Sequence, residues 1–241
     1  MRLLLLAIAV GINIISFSQT RSGNINATPL SVSKSSDFEV NGKGDNNEWD
    51  KCAWNVITKL DSGGQAYNTK FKMLYSEKGI YVLFKGADDH ITTSSTKDFD
   101  ALFKGDVFEV FFQTDTATSI YLEYEINHLN KELVLLVPNF NGRAFGWQPF
   151  AYVNNRKVQK AVSIEGGKAE VNTAITGWAA EVFFPYALFS PLLNVPPKAG
   201  TVWRANFYRL DYDSGQMIKW AWSPIEKNFH EYKKFGTIIF K

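Results

Sequence analysis

Cysteine is almost absent from this sequence, and long apolar runs are confined to its N-terminus. Cys52 is the one cysteine among 241 residues, so the chain cannot form an internal disulfide. Beyond residue 19, no segment has the roughly 18 to 20 uncharged residues that a membrane helix requires. We therefore expect no integral membrane segment in the mature protein.

A strong excess of one charge is also lacking. Lys and Arg number 26 while Asp and Glu number 24, which gives a formal net charge of +2. No basic tract is present that could neutralise a row of phosphates, so the sequence argues against a nucleic-acid partner.

Common catalytic and metal-binding motifs are missing too. The sequence contains no Gly-x-Ser-x-Gly, no Walker loop and no His-Glu-x-x-His, so nothing supports a serine nucleophile, a bound nucleotide or a zinc protease. The three histidines, His90, His128 and His230, have no metal-ligand spacing, which argues against zinc or haem. We expect no required cofactor.

The N-terminus has the pattern of a secretory signal. Arg2 precedes the apolar run 3–10, and small and polar residues follow. Segment 20–37 is rich in Ser, Asn, Gly and Thr and is predicted to be a flexible leader. We therefore divide the chain into a signal peptide at 1–19, this leader, and one folded domain at 38–241. The protein is expected to be secreted, periplasmic or held at the cell surface.

Aromatic residues and short alternating segments dominate the remainder. Trp, Tyr and Phe make up 15% of the chain. Segments 71–75 and 80–85 form the clearest hairpin, with Gly79 expected at a positive φ in the turn. The pattern predicts an all-β fold, an antiparallel β-sandwich of about ten or eleven strands. The predicted strands lie at 71–75, 80–85, 107–114, 119–127, 132–137, 158–164, 169–173, 178–184, 202–211, 218–222 and 236–240.

Alternation along the strands separates apolar from polar side chains. Segment 107–113 places Phe, Val and Phe on one face and Glu109 on the other. Glu123 and Glu125 share one face of the next segment, 119–127. If the two segments pair, the three carboxylates lie on a common polar surface.

A third strand-like segment adds hydrogen-bond donors to this surface. Arg204, Asn206 and Tyr208 alternate along it and so share a face. Acids, an amide, a guanidinium and a phenol on one face suit sugar hydroxyls, each of which both donates and accepts hydrogen bonds. A sheet face that is only solvated explains the pattern equally well.

Several segments, in the same order, resemble the family 9 carbohydrate-binding modules. They are 41–49 (NGKGDNNEW), 75–85 (YSEKGIYVLFK), 105–112 (GDVFEVFF), 177–185 (GWAAEVFFP), 203–209 (WRANFYR), 222–224 (WSP) and 235–240 (FGTIIF). The resemblance implies a β-sandwich of jelly-roll type, related to the DOMON group of sugar- and haem-binding domains. Family members resemble accessory domains of xylan- and cellulose-degrading enzymes, and bound calcium is a family feature.

By this resemblance the chain is a non-catalytic carbohydrate-binding domain. It would assist the recognition and breakdown of polysaccharides of xylan or cellulose type, with a separate glycan-degrading enzyme as a further expected partner. Family members hold a terminal sugar between two tryptophans, beside a glutamate, an arginine and a glutamine.

Transferring that site to this sequence gives matches and departures. Glu109 matches the sugar-binding glutamate. The two tryptophans fall on Phe103 and on His230, which can still stack on a sugar ring but with less area than indole. The arginine falls on Glu125, which reverses the charge, and the glutamine falls on Tyr208.

Other aromatic and acidic residues extend the candidate site. Phe229 lies next to the second stacking position. Phe145 and Trp147, between glycines, are predicted to lie in an exposed loop and to contact either sugar or the core. Asp88 matches an aspartate common in the family and is a candidate calcium ligand, although capping of the following turn explains it as well.

Two alternatives to a binding module stay open. A stand-alone glycoside hydrolase would use two carboxylates across a cleft, and Glu109, Glu123 and Glu125 are the candidates. A DOMON-type haem or redox domain would use Met73 or Met217 as an axial ligand.

Overall fold

The computed structural model describes residues 28–141, 143–144 and 151–241, and almost all of its regular structure is β-strand. Within these residues there are thirteen strands, more than the ten or eleven predicted, and the all-β prediction is confirmed. The strands are β1 (Leu30–Lys34), β2 (Asn55–Lys59), β3 (Thr69–Tyr75), β4 (Gly79–Ala87), β5 (Val107–Gln113), β6 (Ile120–Ile126), β7 (Glu132–Phe140), β8 (Arg143–Ala144), β9 (Gln159–Glu165), β10 (Gly177–Pro185), β11 (Val202–Asp211), β12 (Ile218–Ala221) and β13 (Gly236–Phe240).

Helical structure in the described residues is limited to single 3-10 turns. They are Asn47–Lys51, Leu102–Lys104, Asn154–Arg156, Tyr186–Phe189 and Tyr232–Lys234. None of the helices in this part of the chain is long and apolar enough to cross a membrane.

The strands form two sheets packed face to face. The first sheet has the order β7, β6, β5 and β11, and the free edge of β11 pairs with β13 along one half and β12 along the other. The second sheet has the order β2, β3, β4, β10 and β9. These pairings are antiparallel, whereas β1 pairs in parallel with β13 and with β3 and so links the two sheets.

Aromatic rings fill the space between the sheets. Phe71 from the second sheet stacks on Phe207 from the first at 3.6 Å between ring centroids. Phe108 lies between Phe84 at 5.0 Å and Trp178 at 3.9 Å, and all of these side chains are buried. Burying one such ring contributes about 2 to 3 kcal/mol, so this core supplies much of the driving force for the fold.

The outer face of the first sheet is also buried, which was not expected. Val107, Glu109, Phe111 and Gln113 point away from the main core, yet each is no more than 2% exposed. A second apolar cluster covers them, and it includes Phe229 and residues near it from the chain between β12 and β13. The prediction of a wet polar face was therefore wrong, because sequence alternation reveals two faces but not what covers each.

The N-terminal boundary of the domain also differs from the prediction. Segment 20–37 was predicted to be a flexible leader, but its residues Leu30–Lys34 form β1. Val32 in this strand is fully buried and belongs to the main core. The alternating pattern covers only five residues, which is too short to predict a strand within a segment of polar composition. The predicted signal peptide at 1–19 lies outside the described residues.

Two further predictions of local structure were wrong. Segment 169–173 forms no strand, and the chain there makes one isolated bridge between His90 and Ala174. The hairpin of β3 and β4 is present, but Gly79 does not take a positive φ. A Cβ at this position would lie 2.2 Å from the Phe184 carbonyl oxygen, so the close approach of β10 requires glycine.

Gly79→Ala is expected to destabilise the domain by about 1 to 3 kcal/mol, since the new methyl group meets backbone that cannot move away cheaply. The measurement is urea unfolding followed by tryptophan fluorescence. Gly63→Ala is the matched control, because its Cβ would meet Ile218 Cδ1 at an ordinary 3.7 Å. Equal stability of the two variants would contradict the packing argument.

Candidate binding site

One pocket opens on the outer face of the first sheet, between the strands and the segment that covers them. Its volume is about 280 Å³. Its lining residues are Phe103, Glu109, Glu123, Glu125, Leu210, Met217, Lys219, Lys227, Asn228, Phe229 and His230. Five of the eight predicted ligand-binding residues are among them, namely Phe103, Glu109, Glu125, Phe229 and His230.

Three carboxylates form the polar wall of the pocket. Glu109 of β5 stands directly opposite Glu125 of β6 in the antiparallel ladder. Glu123 lies two residues before Glu125 and therefore on the same face. One carboxylate oxygen from each residue lies within 4.8 Å of the other two. The predicted common surface for these acids is therefore present, although it is enclosed.

Burial controls the charge of these acids. It raises the pKa of Glu125 to about 7, and hydrogen bonds with Glu123 and the Phe103 backbone offset only part of the effect. Burial also raises the pKa of Glu109 and of Glu123 well above the usual carboxyl range, and their acidic neighbours raise them further. The free pocket at neutral pH therefore holds much less negative charge than three carboxylates suggest.

Two rings occupy the positions predicted to stack on sugar. Phe103 lies in the single helical turn Leu102–Lys104, just before β5, and is 44% exposed. His230 is held by its Nδ1, which lies 2.9 Å from Tyr121 Oη, and by its carbonyl oxygen, which accepts a hydrogen bond from Asn139 Nδ2 at 3.0 Å. Burial lowers the pKa of His230 to about 4, so its ring is neutral at physiological pH.

Tyr208 supports the pocket without lining it, which corrects its predicted role. Its side chain is fully buried, and its hydroxyl donates a hydrogen bond to the Phe229 carbonyl oxygen at 2.9 Å. Its ring stacks on the Phe229 ring at 4.0 Å between centroids. Tyr208 therefore fixes the pocket wall by holding Phe229 in place.

Asn206 and Arg204 are not brought to the pocket either. Asn206 is fully buried and bonds the Ser223 backbone, donating to its carbonyl oxygen and accepting from its N–H. Arg204 donates to the Lys233 carbonyl oxygen at 3.0 Å. Both predictions failed because these side chains satisfy backbone groups of the covering segment, and sequence alternation cannot show that partner.

The pocket also contains residues that the prediction of the sugar site did not include. Glu123 could have been added from its alternation with Glu125. Leu210, Met217, Lys219 and Lys227 come from other strands and loops, and no local motif marks them. Met73, the other sulfur ligand considered for haem, is buried in the main core. The loop residues Phe145 and Trp147 lie outside the described residues.

Asp88 lies in a different part of the fold, in a buried ionic network. Asp88 Oδ2 is 3.1 Å from Arg209 Nη2 and 2.9 Å from His128 Nε2, and Arg209 Nη2 is also 2.6 Å from Asp211 Oδ2. Oxygens of Asp88, Asp211 and Asp213 lie within 4.8 Å of one another. Because the Arg209 guanidinium already neutralises two of these acids, the site fits calcium poorly. Calcium binding at Asp88 stays a prediction.

Arg209→Gln is expected to destabilise the protein by about 3 to 5 kcal/mol, because it leaves two buried acids without their cation. Chemical unfolding measures the loss. Arg156→Gln is the control, since Arg156 is near the surface and donates to the Ser190 carbonyl oxygen; it is expected to cost less than about 1 kcal/mol. A mild effect of Arg209→Gln would mean that the acids are neutral without it.

Folding stability is expected to depend on pH through Glu125. Its raised pKa means that the folded state holds a proton that the unfolded chain loses near pH 4.5. Below pH 4.5 the contribution of Glu125 to the free energy of unfolding is therefore fully present. As the pH rises to about 7 this contribution is lost, which lowers the free energy of unfolding by roughly 3 kcal/mol.

Glu125→Gln should make the fall in stability over this pH range smaller, while Glu109 and Glu123, whose pKa values burial also raises, keep their own contribution. The measurement is urea unfolding at a series of pH values from 4.5 to 8 for the unchanged protein and the variant. Glu165→Gln is the control, because Glu165 is exposed and pairs with Lys85. Parallel pH curves for Glu125→Gln and the unchanged protein would show that Glu125 does not titrate as the geometry indicates.

Comparison with known proteins agrees with this architecture. A protein of Arthroderma benhamiae described as an extracellular protein is 28% identical over 202 residues, which cover 78% of this chain and 87% of that relative. A crystal structure from Bacteroides uniformis, of a protein proposed to bind carbohydrate, superposes with a TM-score of 0.73 at 17% identity, covering 89% of this chain and all of that one.

A family 9 carbohydrate-binding module of Caldicellulosiruptor kristjanssonii in complex with cellotriose superposes with a TM-score of 0.63 at 17% identity. The match covers 89% of this chain and 94% of the module. At such low identity these superpositions establish the fold. The model of carbohydrate-binding family 9 matches residues 44–240, most of the chain. The chain therefore belongs to carbohydrate-binding family 9.

Proposed function

We propose that this protein is a non-catalytic carbohydrate-binding domain whose sugar site is the pocket between Phe103 and His230. The observation that supports this most directly is the meeting of these two rings with Glu109 and Glu125 around one cavity. These four residues are 127 positions apart in the sequence at their extremes, so their proximity is a result of the fold. Apolar rings beside carboxylates suit the apolar faces and the hydroxyls of a sugar.

The expected ligand is a polysaccharide of xylan or cellulose type. The Caldicellulosiruptor kristjanssonii module binds cellotriose, and this chain has its fold. The pocket volume of about 280 Å³ is suited to one sugar ring or part of a short chain rather than to an extended polymer. The ring stacking of Phe103 and His230 is independent of which hydroxyls point toward the acids.

The arrangement of the acids supports binding rather than hydrolysis. Glycosidase carboxylates face each other across the scissile bond, roughly 5 to 5.5 Å apart in retaining enzymes and about 6.5 to 9.5 Å apart in inverting ones. Oxygens of Glu109, Glu123 and Glu125 lie within 4.8 Å of one another on a single wall. Acids on one wall do not flank a bond from two sides, as the carboxylates of a glycosidase do.

We further propose a location outside the cytoplasm and a role beside a separate glycan-degrading enzyme. The signal-like residues 1–19 and the relative described as extracellular both favour export. A domain that only binds glycan gains a role in carbohydrate breakdown when an enzyme acts on the polymer that it holds.

Phe103→Ala and His230→Ala are each expected to weaken oligosaccharide binding by about tenfold, the loss expected for one stacking contact. Isothermal titration calorimetry with xylo- and cello-oligosaccharides measures the change. Trp54→Ala is the control, since Trp54 is an exposed aromatic residue that lies outside the pocket and stacks with Lys70 and Lys72.

The proposal fails if the unchanged protein shows no saturable binding across xylan, cellulose, pectin and mannan fragments at millimolar concentration. It also fails if binding occurs but is reduced by Trp54→Ala and not by the two pocket variants. Release of reducing sugar that Glu109→Gln abolishes would replace the binding role with a hydrolase.

A further inference from the structure

The pocket places more hydrogen-bond acceptors than donors around one small part of the space that a ligand would occupy. Glu109, Glu123 and Glu125 are each at most 3% exposed. Oε2 of Glu123 and Oε2 of Glu125 receive no hydrogen bond from any described residue. Burying a carboxylate oxygen without a donor is costly, so these two atoms need either a proton or an external donor.

Positive charge from the protein does not meet this need. Among the described residues that line the pocket, the basic side chains are Lys219, Lys227 and His230. Lys219 Nζ lies 3.6 Å from Asp61 Oδ1 and so is directed to another acid. His230 Nδ1 is 4.0 Å from Glu123 Oε2 and is hydrogen-bonded with Tyr121. No ion pair between a Lys or Arg of the described chain and any of the three glutamates is present.

The remaining walls identify the kind of cation that fits. Phe103, Leu210, Met217 and Phe229 surround the acids with apolar surface. A calcium ion takes six to eight oxygen ligands, so it would need all three carboxylates and added water, and it would leave the apolar walls without a partner. An ammonium group has three donors and no acceptor, so it can bond one oxygen from each glutamate. The apolar walls then receive the ring that carries the ammonium group.

We propose that the preferred ligand of this pocket is an amino sugar with a free ammonium group, such as the glucosamine units of a de-N-acetylated glycan. The inference rests on the proposed carbohydrate binding and puts an amino sugar in place of the neutral xylan- or cellulose-type sugar as the preferred ligand. The ring packs between Phe103 and His230, while its ammonium group donates hydrogen bonds to Glu109, Glu123 and Glu125. A hydrogen bond from an ionised donor is roughly twice as strong as a neutral one, and the nearby ammonium charge favours the ionised form of the glutamates, so this class gains over neutral sugars.

General attraction between the protein and a polycation does not explain such a preference. The formal net charge of the chain is +2, which repels a positively charged glycan weakly. Preference for the amine would therefore come from the local acids in the pocket.

The test compares three β-1,4-linked trisaccharides that differ in one substituent of each ring. They are the trimers of glucosamine, N-acetylglucosamine and glucose, with an amine, an acetamide and a hydroxyl. Calorimetric titration of the full protein at neutral pH should show the glucosamine trimer binding about tenfold to a hundredfold more tightly than the glucose trimer. Calcium chloride alone is titrated as a separate arm.

Glu125→Gln should reduce affinity for the glucosamine trimer by about tenfold and affinity for the glucose trimer by a smaller factor, so that the ratio of the two affinities falls. Glu109→Gln is a second variant with the same expected pattern, should the first fail to fold. Glu165→Gln is the matched control at an exposed acid and should leave both affinities unchanged.

The outcomes separate this inference from the function on which it rests. If the glucose trimer binds saturably and the glucosamine trimer binds no more tightly, the amino-sugar assignment is wrong and carbohydrate binding stands. If none of the three trimers binds, both fail. Saturable binding of calcium alone that Glu125→Gln abolishes would replace the amino sugar with a metal ion.

Discussion

The first sheet of the sandwich is buried on both faces, and the candidate site depends on this constraint. On the inner face Phe108 packs between rings of the second sheet. On the outer face Phe111 contacts the aromatic residues of the covering segment, His230 and Phe235. A strand covered on one side only would leave Glu109 in water. Covered on both sides, it holds Glu109 in an apolar enclosure.

The chemistry of the acids follows from that enclosure. Water would solvate three carboxylates and keep them ionised, whereas burial favours their protonated forms. The covering segment is itself fixed by hydrogen bonds from the sheet, because Tyr208 bonds the Phe229 backbone and Asn139 bonds the His230 backbone. The residues that failed as sugar ligands therefore shape the site by holding the segment that encloses it.

Family membership and the local residues answer different questions about this protein. The matched family accounts for the sandwich. What the pocket binds depends on the residues that line it, among them Phe103, His230 and Glu125. Arg209 is fully buried, but its guanidinium serves Asp88 and Asp211 in another part of the fold and contributes no positive charge to the pocket.

Much of the strand order could be predicted from the sequence because alternation and turn residues are local signals. Strands β5, β6 and β11, and a common face for Glu109 and Glu125 if β5 and β6 pair, follow from periodicity and a short hairpin. Strand β1 was missed because its partners β3 and β13 are distant in the sequence. Gly79 is a similar case. The sequence predicted that its glycine serves a positive φ in the turn, whereas the structure shows that it makes room for the distant strand β10.

The sequence by itself determined the all-β class, the hairpins and the two faces of each strand, since these depend on neighbouring residues. It also placed Phe103, Glu109, Glu125, Phe229 and His230 in one candidate site through family resemblance. Only the tertiary structure decided which face is covered and therefore which polar side chains meet a cavity and which meet backbone. That decision depends on contacts between residues far apart in the chain, whose partners no local pattern specifies.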